Sequence, residues 1–200
     1  MILLFGMGKS NNSILNYFKQ NNIKYITYDD NYNKCCSLDN IKLIIKSNGI
    51  NNDHYIIKEA KKKNIKIISD LQLYFLLSNN NNQILVTGSN GKTTTVSILE
   101  KCLFNSIAIG NNGNALFDYI NDKRFKIVEA SSFMLEYANN INFKFNIITN
   151  IYNTHLEHHK SYIKYLKAKL RRKSQLKLQE SHYREQLYNK IINTVYRCTP

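Results

Sequence analysis

Residues 87–94 read Thr87-Gly88-Ser89-Asn90-Gly91-Lys92-Thr93-Thr94 and come directly after the apolar run Ile84-Leu85-Val86. A glycine-rich turn between a strand and a helix lets backbone N–H groups converge on phosphate oxygens, and the helix adds the positive end of its dipole. In such a loop Lys92 would reach the outer phosphates of a nucleotide, and the hydroxyl of Thr93 or Thr94 would contact magnesium. The alternative is a plain tight turn with an exposed lysine. We therefore predict a nucleotide-binding loop made by Gly88, Ser89, Asn90, Gly91, Lys92, Thr93 and Thr94.

Apolar runs of strand length alternate with helical stretches along most of the chain. The candidate strands are residues 2–5, 25–28, 41–45, 65–68, 84–87, 107–109, 126–129 and 146–150, and candidate helices at 13–21, 53–63 and 93–104 fall between them. This alternation predicts an α/β fold with open parallel sheets. The polar tract at 78–83 predicts a linker, so we expect one domain over 1–77, a second over 84–170 and a divergent tail over 171–200.

Charge and cysteine content exclude some classes of function. The 200 residues carry a formal net charge of +14, but the lysines and arginines are scattered and no nucleic-acid-binding module accompanies them. A basic surface would instead suit anionic nucleotide ligands. The four cysteines form no CxxC pair and no zinc-ligand spacing with histidine, so we expect reduced thiols in a cytoplasmic protein. The opening apolar run has five residues, too few for a membrane span.

Three further motifs follow the loop. Residues 110–113 read Gly-Asn-Asn-Gly, residues 128–136 read Val-Glu-Ala-Ser-Ser-Phe-Met-Leu-Glu, and residues 149–159 read Thr-Asn-Ile-Tyr-Asn-Thr-His-Leu-Glu-His-His. A carboxylate at the carboxyl end of a strand, such as Glu129, is well placed to bind magnesium beside a phosphate loop. Taken alone, Glu129 would more often form a salt bridge, and a lone histidine such as His155 would more often be structural. His158 and His159 are compatible with a plain surface position.

Together these motifs resemble the Mur ligase family of ATP-dependent amide ligases. The loop matches the family's T-G-x-N-G-K-T form, and residues 129–136 resemble E-x-S-S-F-Q-L-E, with Met134 in place of glutamine. Residues 150–159 resemble N-x-x-x-D-H-L-D-x-H, with Thr154 in place of aspartate, and a Y-x-x-A-K helix follows at 165–169. The Phe-x-Leu-Glu part resembles the D-glutamate-adding branch. The resemblance implies a Rossmann-like N-terminal domain followed by part of a P-loop-type central domain.

The resemblance also implies roles for single residues. Lys92, His155 and Lys169 would be catalytic, and Thr93, Glu129, His155 and Lys169 would surround magnesium. Lys169 matches a lysine that the family carbamylates, and addition of CO2 would turn its cation into a carboxylate-like ligand. That Lys169 is modified in this chain is a hypothesis, which crystallographic density at its Nζ would test. The alternative is a solvated lysine on a lysine-rich helix.

The N-terminal unit begins with Gly6-Met7-Gly8-Lys9-Ser10-Asn11, in which Asn11 stands where a Rossmann motif has its third glycine. This departure argues against ordinary NAD binding. Asp29 and Asp30 close the second candidate strand, where a carboxylate can accept hydrogen bonds from ribose or uracil. The alternative is an α/β module that binds no phosphate. The resemblance implies that a UDP-linked substrate is bound by Lys9, Ser10, Asp29, Asp30, Gly49, Asn111 and Ser131.

The reaction that the resemblance implies uses ATP and Mg²⁺ as cofactors. The carboxylate of UDP-N-acetylmuramoyl-L-alanine would form an acyl phosphate, and the amine of D-glutamate would then displace phosphate to give the amide. The family implies a cytoplasmic monomer with no nucleic-acid partner. Nothing after Leu170 resembles the family's continuation, so we expect a truncated chain with impaired activity. The alternatives are an inactive ATP- or UDP-sugar-binding remnant and a different Mur or folylpolyglutamate-type ligase.

Overall fold

The computed structural model describes residues 1–32, 36–78, 83–139, 141 and 143–170. Within these ranges the strands are β1 (Ile2–Phe5), β2 (Tyr25–Tyr28), β3 (Leu43–Lys46), β4 (Lys66–Ile68), β5 (Gln83–Thr87), β6 (Ser106–Gly110), β7 (Phe125–Glu129) and β8 (Phe145–Ile148). The helices are α1 (Lys9–Gln20), α2 (Tyr55–Lys62), α3 (Asp70–Leu77), α4 (Lys92–Cys102), α5 (Ser132–Glu136), α6 (Leu156–His159) and α7 (Tyr162–Lys169), with a 3₁₀ helix over Leu116–Tyr119. The predicted tail and residues 79–82 of the predicted linker lie outside the described residues.

The strands form two parallel sheets of four strands each, which confirms the predicted α/β fold. The first sheet has the order β2-β1-β3-β4 and the second has the order β6-β7-β5-β8. All pairs are parallel, so the carboxyl ends of the strands in a sheet meet at one edge. Ligands of open α/β sheets bind at this edge, where the chain reverses the direction in which it adds strands. Both glycine turns found in the sequence lie at such edges.

Asparagines end two helices of this chain, α1 and α2. After α1, Asn22 has φ of 54°, and Ile23 N–H donates to the carbonyl of Phe18 at 3.0 Å. After α2, Asn64 has φ of 55°, and Ile65 N–H donates to the carbonyl of Ala60 at 2.8 Å. This is the Schellman pattern, and asparagine tolerates its left-handed residue better than most side chains do. The asparagine-rich composition therefore supplies helix stops where glycine, with seven residues in the chain, is scarce.

One hydrophobic cluster contains buried side chains from both sheets. Leu4 and Ile45 come from the first sheet, and Leu85 and Val128 come from the second. Between them lie α1, α3 and the 3₁₀ helix, which contribute the buried aromatic residues Phe18, Tyr74 and Phe117. The two halves thus share a core. The predicted division into domains at 78–83 stays a prediction.

The ends of each predicted strand lie within two residues of the ends of an observed strand. The main element that the sequence did not predict is a helix, α3. α3 reads Asp-Leu-Gln-Leu-Tyr-Phe-Leu-Leu, and its first five residues are all buried. A helix that is apolar nearly all round has no amphipathic period, so the sequence pattern did not reveal it. The helix predicted at 13–21 begins earlier, at Lys9, directly after the glycine turn. Among the described residues, no helix is long and apolar enough to cross a membrane.

Truncation of the shared core should destabilise the whole chain. Phe18 is 1% exposed, so Phe18→Ala would leave a cavity and lower the free energy of unfolding by about 3–5 kcal/mol. Phe104→Ala is the matched control, because Phe104 is 98% exposed and its loss should change stability by about 0.5 kcal/mol or less. Urea-induced unfolding measures both values. Equal effects of the two variants would contradict the shared core.

Candidate functional site

The loop between β5 and α4 lies at the carboxyl end of the second sheet. Gly91 precedes α4 with φ of 78°, a left-handed conformation that suits glycine. Gly88 has φ of 152°, and a Cβ added there would collide with Oγ1 of Thr149. The loop therefore needs glycine at both positions, one for its turn and one for close approach to a neighbouring segment.

The segment that follows β8 holds this loop in place. Ser89 N–H donates to the carbonyl of Asn150 at 3.0 Å, and Asn90 N–H donates to Oδ1 of Asn150 at 2.9 Å. Thr149 Oγ1 donates to the carbonyl of Asn90 at 2.6 Å. The amides of Ser89 and Asn90 are thus engaged, and the first turn of α4 carries the N–H groups that have no intrahelical partner. An anion would bind at that turn, where the helix dipole is positive.

Two lysines converge on one carbonyl of the loop. Lys92 Nζ donates to the carbonyls of Gly88 and Ser89, both at 2.9 Å. Lys169 Nζ, from α7, donates to the same Gly88 carbonyl at 2.8 Å and lies 3.4 Å from Thr87 Oγ1. Burial, with a smaller contribution from the charge of Lys92, lowers the pKa of Lys169 to about 7. A substantial fraction of Lys169 is therefore an uncharged amine at neutral pH.

Glu129 ends β7 beside the loop, since it pairs in register with Val86 of β5. Its Oε1 accepts a hydrogen bond from Asn111 Nδ2 at 3.1 Å. Its Oε2 is buried and has no hydrogen-bond partner among the described residues. A buried carboxylate oxygen without a partner is costly unless a cation or donor completes it. The donor set at this corner therefore fits a hard divalent cation such as magnesium.

Of the four residues predicted to surround magnesium, three lie at or beside the loop and the fourth, His155, lies at the surface. Lys169 and Glu129 lie at the loop, and Thr93 lies in the first turn of α4 with an exposed side chain. His155 is exposed and precedes α6 with φ of 57°. Its ring lies 5.2 Å from the ring of Phe133 and 6.2 Å from that of Tyr165, and no hydrogen bond joins it to Glu129 or Lys169 within the described part of the chain.

Tyr165 and Asn150 are site residues that the sequence reasoning did not assign. The hydroxyl of Tyr165 lies 2.6 Å from Ser89 Oγ and accepts from Thr154 Oγ1 at 3.2 Å, so it connects α7 to the loop. Thr154, which replaces the family's aspartate, thus contributes a neutral hydroxyl contact. Asn150 belongs to the motif at 150–159 and Tyr165 to the motif at 165–169. These motif positions could have identified both as site residues.

The plain surface position considered for His159 is wrong. His159 is 3% exposed and lies between Ser132 and Glu136 of α5, and burial lowers its pKa to about 4. His158 is half-buried and pairs with Glu136 at 2.8 Å. The two histidines end a four-residue helix whose position against α5 is decided by contacts distant in sequence. Residue type alone could not reveal this burial.

The N-terminal turn is filled by Asn11, whose side chain is fully buried. Its Nδ2 donates to the carbonyls of Phe5 and Gly6 at 3.0 and 2.9 Å. The side chain therefore occupies the space that a glycine at position 11 would leave empty. Asp29 Oδ2 accepts from Met7 N–H at 2.6 Å, and this bond, with a second from Asn31 N–H, lowers the pKa of Asp29. The turn is therefore tied to the strand-end acid.

The other predicted substrate residues fall into separate groups. Asp30 pairs with His54 at 3.1 Å, and Gly49 is exposed, with no atom within 4 Å of an added Cβ. Ser131 caps α5, because its Oγ accepts from Met134 N–H at 3.2 Å. Lys9, Ser10 and Asn111 instead line a cavity of about 190 Å³.

That cavity lies between the two halves of the chain. Lys9 Nζ donates to the carbonyl of Gly113 across it, and Ser10 Oγ donates to the buried carboxylate of Asp70. Burial raises the pKa of Asp70, against the effect of that hydrogen bond. Met134 also lines this cavity. Groups from both halves of the chain therefore line one space, and Asn111, which also lines it, connects it to Glu129.

Several known proteins are similar to this chain. Residues 86–190 match the Mur ligase middle domain. A UDP-N-acetylmuramoylalanine--D-glutamate ligase of Wolbachia pipientis wMel is 30% identical over 193 residues, which cover 85% of this chain and 38% of the relative. The protein of the same name from Leuconostoc mesenteroides is 38% identical over 136 residues, which cover 64% of this chain and 30% of the relative.

A solved structure adds a more distant similarity. The crystal structure of a UDP-N-acetylmuramate-alanine ligase from Thermotoga maritima aligns with 85% of this chain and 46% of that chain, at 20% identity and a TM-score of 0.45. The chain spans less than half the length of each of these relatives.

The buried Lys169 should make stability depend on pH. Its pKa is lowered from 10.5 to about 7, so between these values the unfolded chain binds more protons and stability rises with pH. Below pH 7 both states are protonated, and the full cost of burying the cation remains. Lys169→Met should therefore stabilise the chain by about 1–3 kcal/mol near neutral pH, with a gain that shrinks as the pH approaches 10.5.

Lys167→Met is the control for this effect, because Lys167 is exposed on the same helix. Its difference from the wild type should stay within about 0.5 kcal/mol and should not vary with pH. Urea unfolding at a series of pH values measures both differences. Parallel pH profiles for the wild type and Lys169→Met would contradict the burial of a titrating amine.

Proposed function

Because the chain belongs to the Mur ligase family, we propose that it carries the nucleotide and sugar-nucleotide sites of an ATP-dependent amide ligase. The reaction proposed is the addition of D-glutamate to UDP-N-acetylmuramoyl-L-alanine in peptidoglycan precursor synthesis, the activity for which its relatives are named. The observation that carries the proposal is that Lys92 and Lys169 both donate to one carbonyl of a phosphate-type loop, while Glu129 on the paired strand has a buried carboxylate oxygen without a hydrogen-bond partner among the described residues.

The loop geometry supports binding of a triphosphate. The N–H groups at the start of α4 and the helix dipole would hold the anion, and Lys92 would exchange two neutral carbonyls for charged phosphate oxygens. The hydroxyl of Thr93 and the carboxylate of Glu129 would hold magnesium, which would neutralise phosphate charge. Gly88, Ser89, Asn90, Gly91 and Thr94 complete the proposed nucleotide site.

Lys169 is proposed to act in its uncharged form. Only a neutral amine adds CO2, and burial keeps part of Lys169 neutral near pH 7. The resulting carbamate would be an anion beside Lys92, which removes the repulsion between two cations on one carbonyl. His155 is proposed as a further ligand near the metal because its position in the motif at 150–159 matches the family histidine.

The cavity between the two halves is proposed to receive the sugar-nucleotide. Lys9 supplies a cation for a diphosphate, and Asn111 stands between this cavity and Glu129. Ser10, Ser131, Asp29, Asp30 and Gly49 are proposed to complete the substrate site. A substrate carboxylate placed near Asn111 could attack the γ-phosphorus of ATP and give an acyl phosphate and ADP. Attack by the amine of D-glutamate on the acyl carbon would then release phosphate.

A second candidate function is binding of ATP or a UDP-sugar without chemistry. Two departures from the family pattern favour it. The buried Met134 lines the cavity with an apolar side chain where the family has glutamine. Thr154 supplies a hydroxyl where the family has aspartate. Both candidates predict ligand binding, and only the first predicts amide formation.

Removal of the Lys92 charge should abolish tight ATP binding. In Lys92→Met the triphosphate loses a charge-assisted contact of about 1.5–3 kcal/mol, which weakens ATP about 10- to 150-fold. Calorimetric titration of the 200-residue chain with Mg-ATP measures the loss. Lys101→Met, on the exposed side of the same helix, should bind ATP as the wild type does. Titration with UDP-N-acetylmuramoyl-L-alanine should give the same affinity in all three proteins, and unchanged ATP affinity in Lys92→Met would overturn the nucleotide site.

The amino acid that is added can be identified by phosphate release. With ATP and UDP-N-acetylmuramoyl-L-alanine present, D-glutamate should raise phosphate release above the rate with L-glutamate. If both ligands bind but no amino acid stimulates release, the second candidate function is supported and catalysis by this chain is excluded. Stimulation by a different amino acid would instead place the chain in another branch of the family.

A further inference from the structure

A compact group of metal-ligating side chains lies apart from the phosphate loop. It consists of Glu136, which ends α5, and of His158 and His159, which end α6. One ligand atom of each lies within 4.8 Å of the others, and within the described part of the chain no other three such residues come so close. His159 is buried, and the other two are half-buried.

The distances within this group are close to those of a metal site. His158 Nε2 lies 2.8 Å and His159 Nδ1 lies 4.0 Å from Oε2 of Glu136. Ligand atoms around a tetrahedral zinc ion lie about 3.3 Å apart, as bond lengths of about 2.0–2.1 Å require. Changes of about 1.5 Å or less in the distances between these atoms would therefore bring the three to one ion.

Neighbouring side chains orient two of the three groups. Ser132 Oγ lies 3.0 Å from Nε2 of His159, which leaves Nδ1 facing Glu136. Asn52 Nδ2 donates to Oε1 of Glu136 at 2.8 Å, and the hydroxyl of Tyr137 donates to Oδ1 of Asn52 at 2.7 Å. Histidine ligands of metals commonly have their second nitrogen held in this way, and ligating carboxylates are hydrogen-bonded in turn.

We propose that Glu136, His158 and His159 form a binding site for a divalent transition-metal ion of the zinc type. Two imidazoles and one carboxylate suit zinc, whereas magnesium prefers oxygen ligands, as at Glu129. The fourth position would hold water, because the side chain of His158 remains partly open to solvent. The site is thus separate in chemistry and in residues from the magnesium corner.

The ion would join parts of the chain that are distant in sequence. Asn52 lies between β3 and α2 in the first half, and it contacts Glu136 and His158 of the second half. The ring of His159 lies 5.4 Å from that of Tyr165, whose hydroxyl reaches Ser89 of the phosphate loop. Lys46, whose charge interacts with Glu136, donates to the carbonyl of Ser47 and lies over the Tyr137 ring at 5.2 Å. A bound ion would therefore stabilise the contact between the halves.

Zinc titration of the chelator-treated 200-residue chain tests the site. We expect one zinc ion per chain and a rise in Tm of roughly 5 °C or more at a hundredfold excess over Kd. Glu136→Gln and His158→Gln should each weaken zinc binding about tenfold or more. His54→Gln is the matched control, because His54 is a histidine paired with Asp30 away from the three ligands, and this variant should bind zinc as the wild type does.

If a variant does not fold, a second measurement on the wild-type chain tests the zinc site. Cobalt(II) bound to imidazole and carboxylate in a tetrahedral site gives an intense visible d–d spectrum, without the near-ultraviolet charge-transfer band of thiolate ligands. That spectrum supports the proposal. A thiolate band, which would indicate the cysteines, overturns it, and so does zinc affinity that is unchanged in folded Glu136→Gln and His158→Gln. Neither readout involves ATP, so failure here leaves the proposed ligase function to its own tests.

Discussion

The close approach of Gly88 to the end of β8 is the constraint on which the candidate site depends. Thr149 occupies the space that a side chain at residue 88 would need, and Asn150 engages two loop amides. This contact fixes the carbonyl of Gly88, and that carbonyl in turn receives both lysines. A loop held from outside in this way keeps its shape without a ligand, so less entropy is lost when a phosphate binds.

The charged groups around this loop do not neutralise one another, and this imbalance indicates that a ligand binds there. Lys92 and Lys169 share one neutral carbonyl, and on the paired strand β7 Glu129 has a buried oxygen that finds no hydrogen-bond partner in the part of the chain that the structure describes. Such an arrangement costs stability, and proteins keep costly polar groups mainly where a ligand completes them. An anion with a bound cation would satisfy both sides at once. This energetic cost is the physical reason to regard the corner formed by Lys92, Lys169 and Glu129 as a functional site.

The shared core explains how residues of the first half reach the second. α1 packs between the sheets, and it begins with Lys9 and Ser10, which line the cavity together with Asn111. If the two sheets packed on separate cores, these groups would not be held at a constant distance. The same packing brings Asn52 to Glu136 and so assembles the proposed zinc site. Both sites therefore depend on the contact between the halves.

Local chemistry could be predicted from the sequence. The eight strands and the glycine loop follow from residues adjacent in the chain, because turns and strand periods are short-range properties, whereas the roles of Lys92 and Glu129 stay predictions. The tertiary structure alone decided which side chains are buried together. It gave Lys169 a lowered pKa and buried His159, and it kept His155 at the surface. Burial and dielectric environment depend on packing between segments distant in sequence, and no local pattern carries that information.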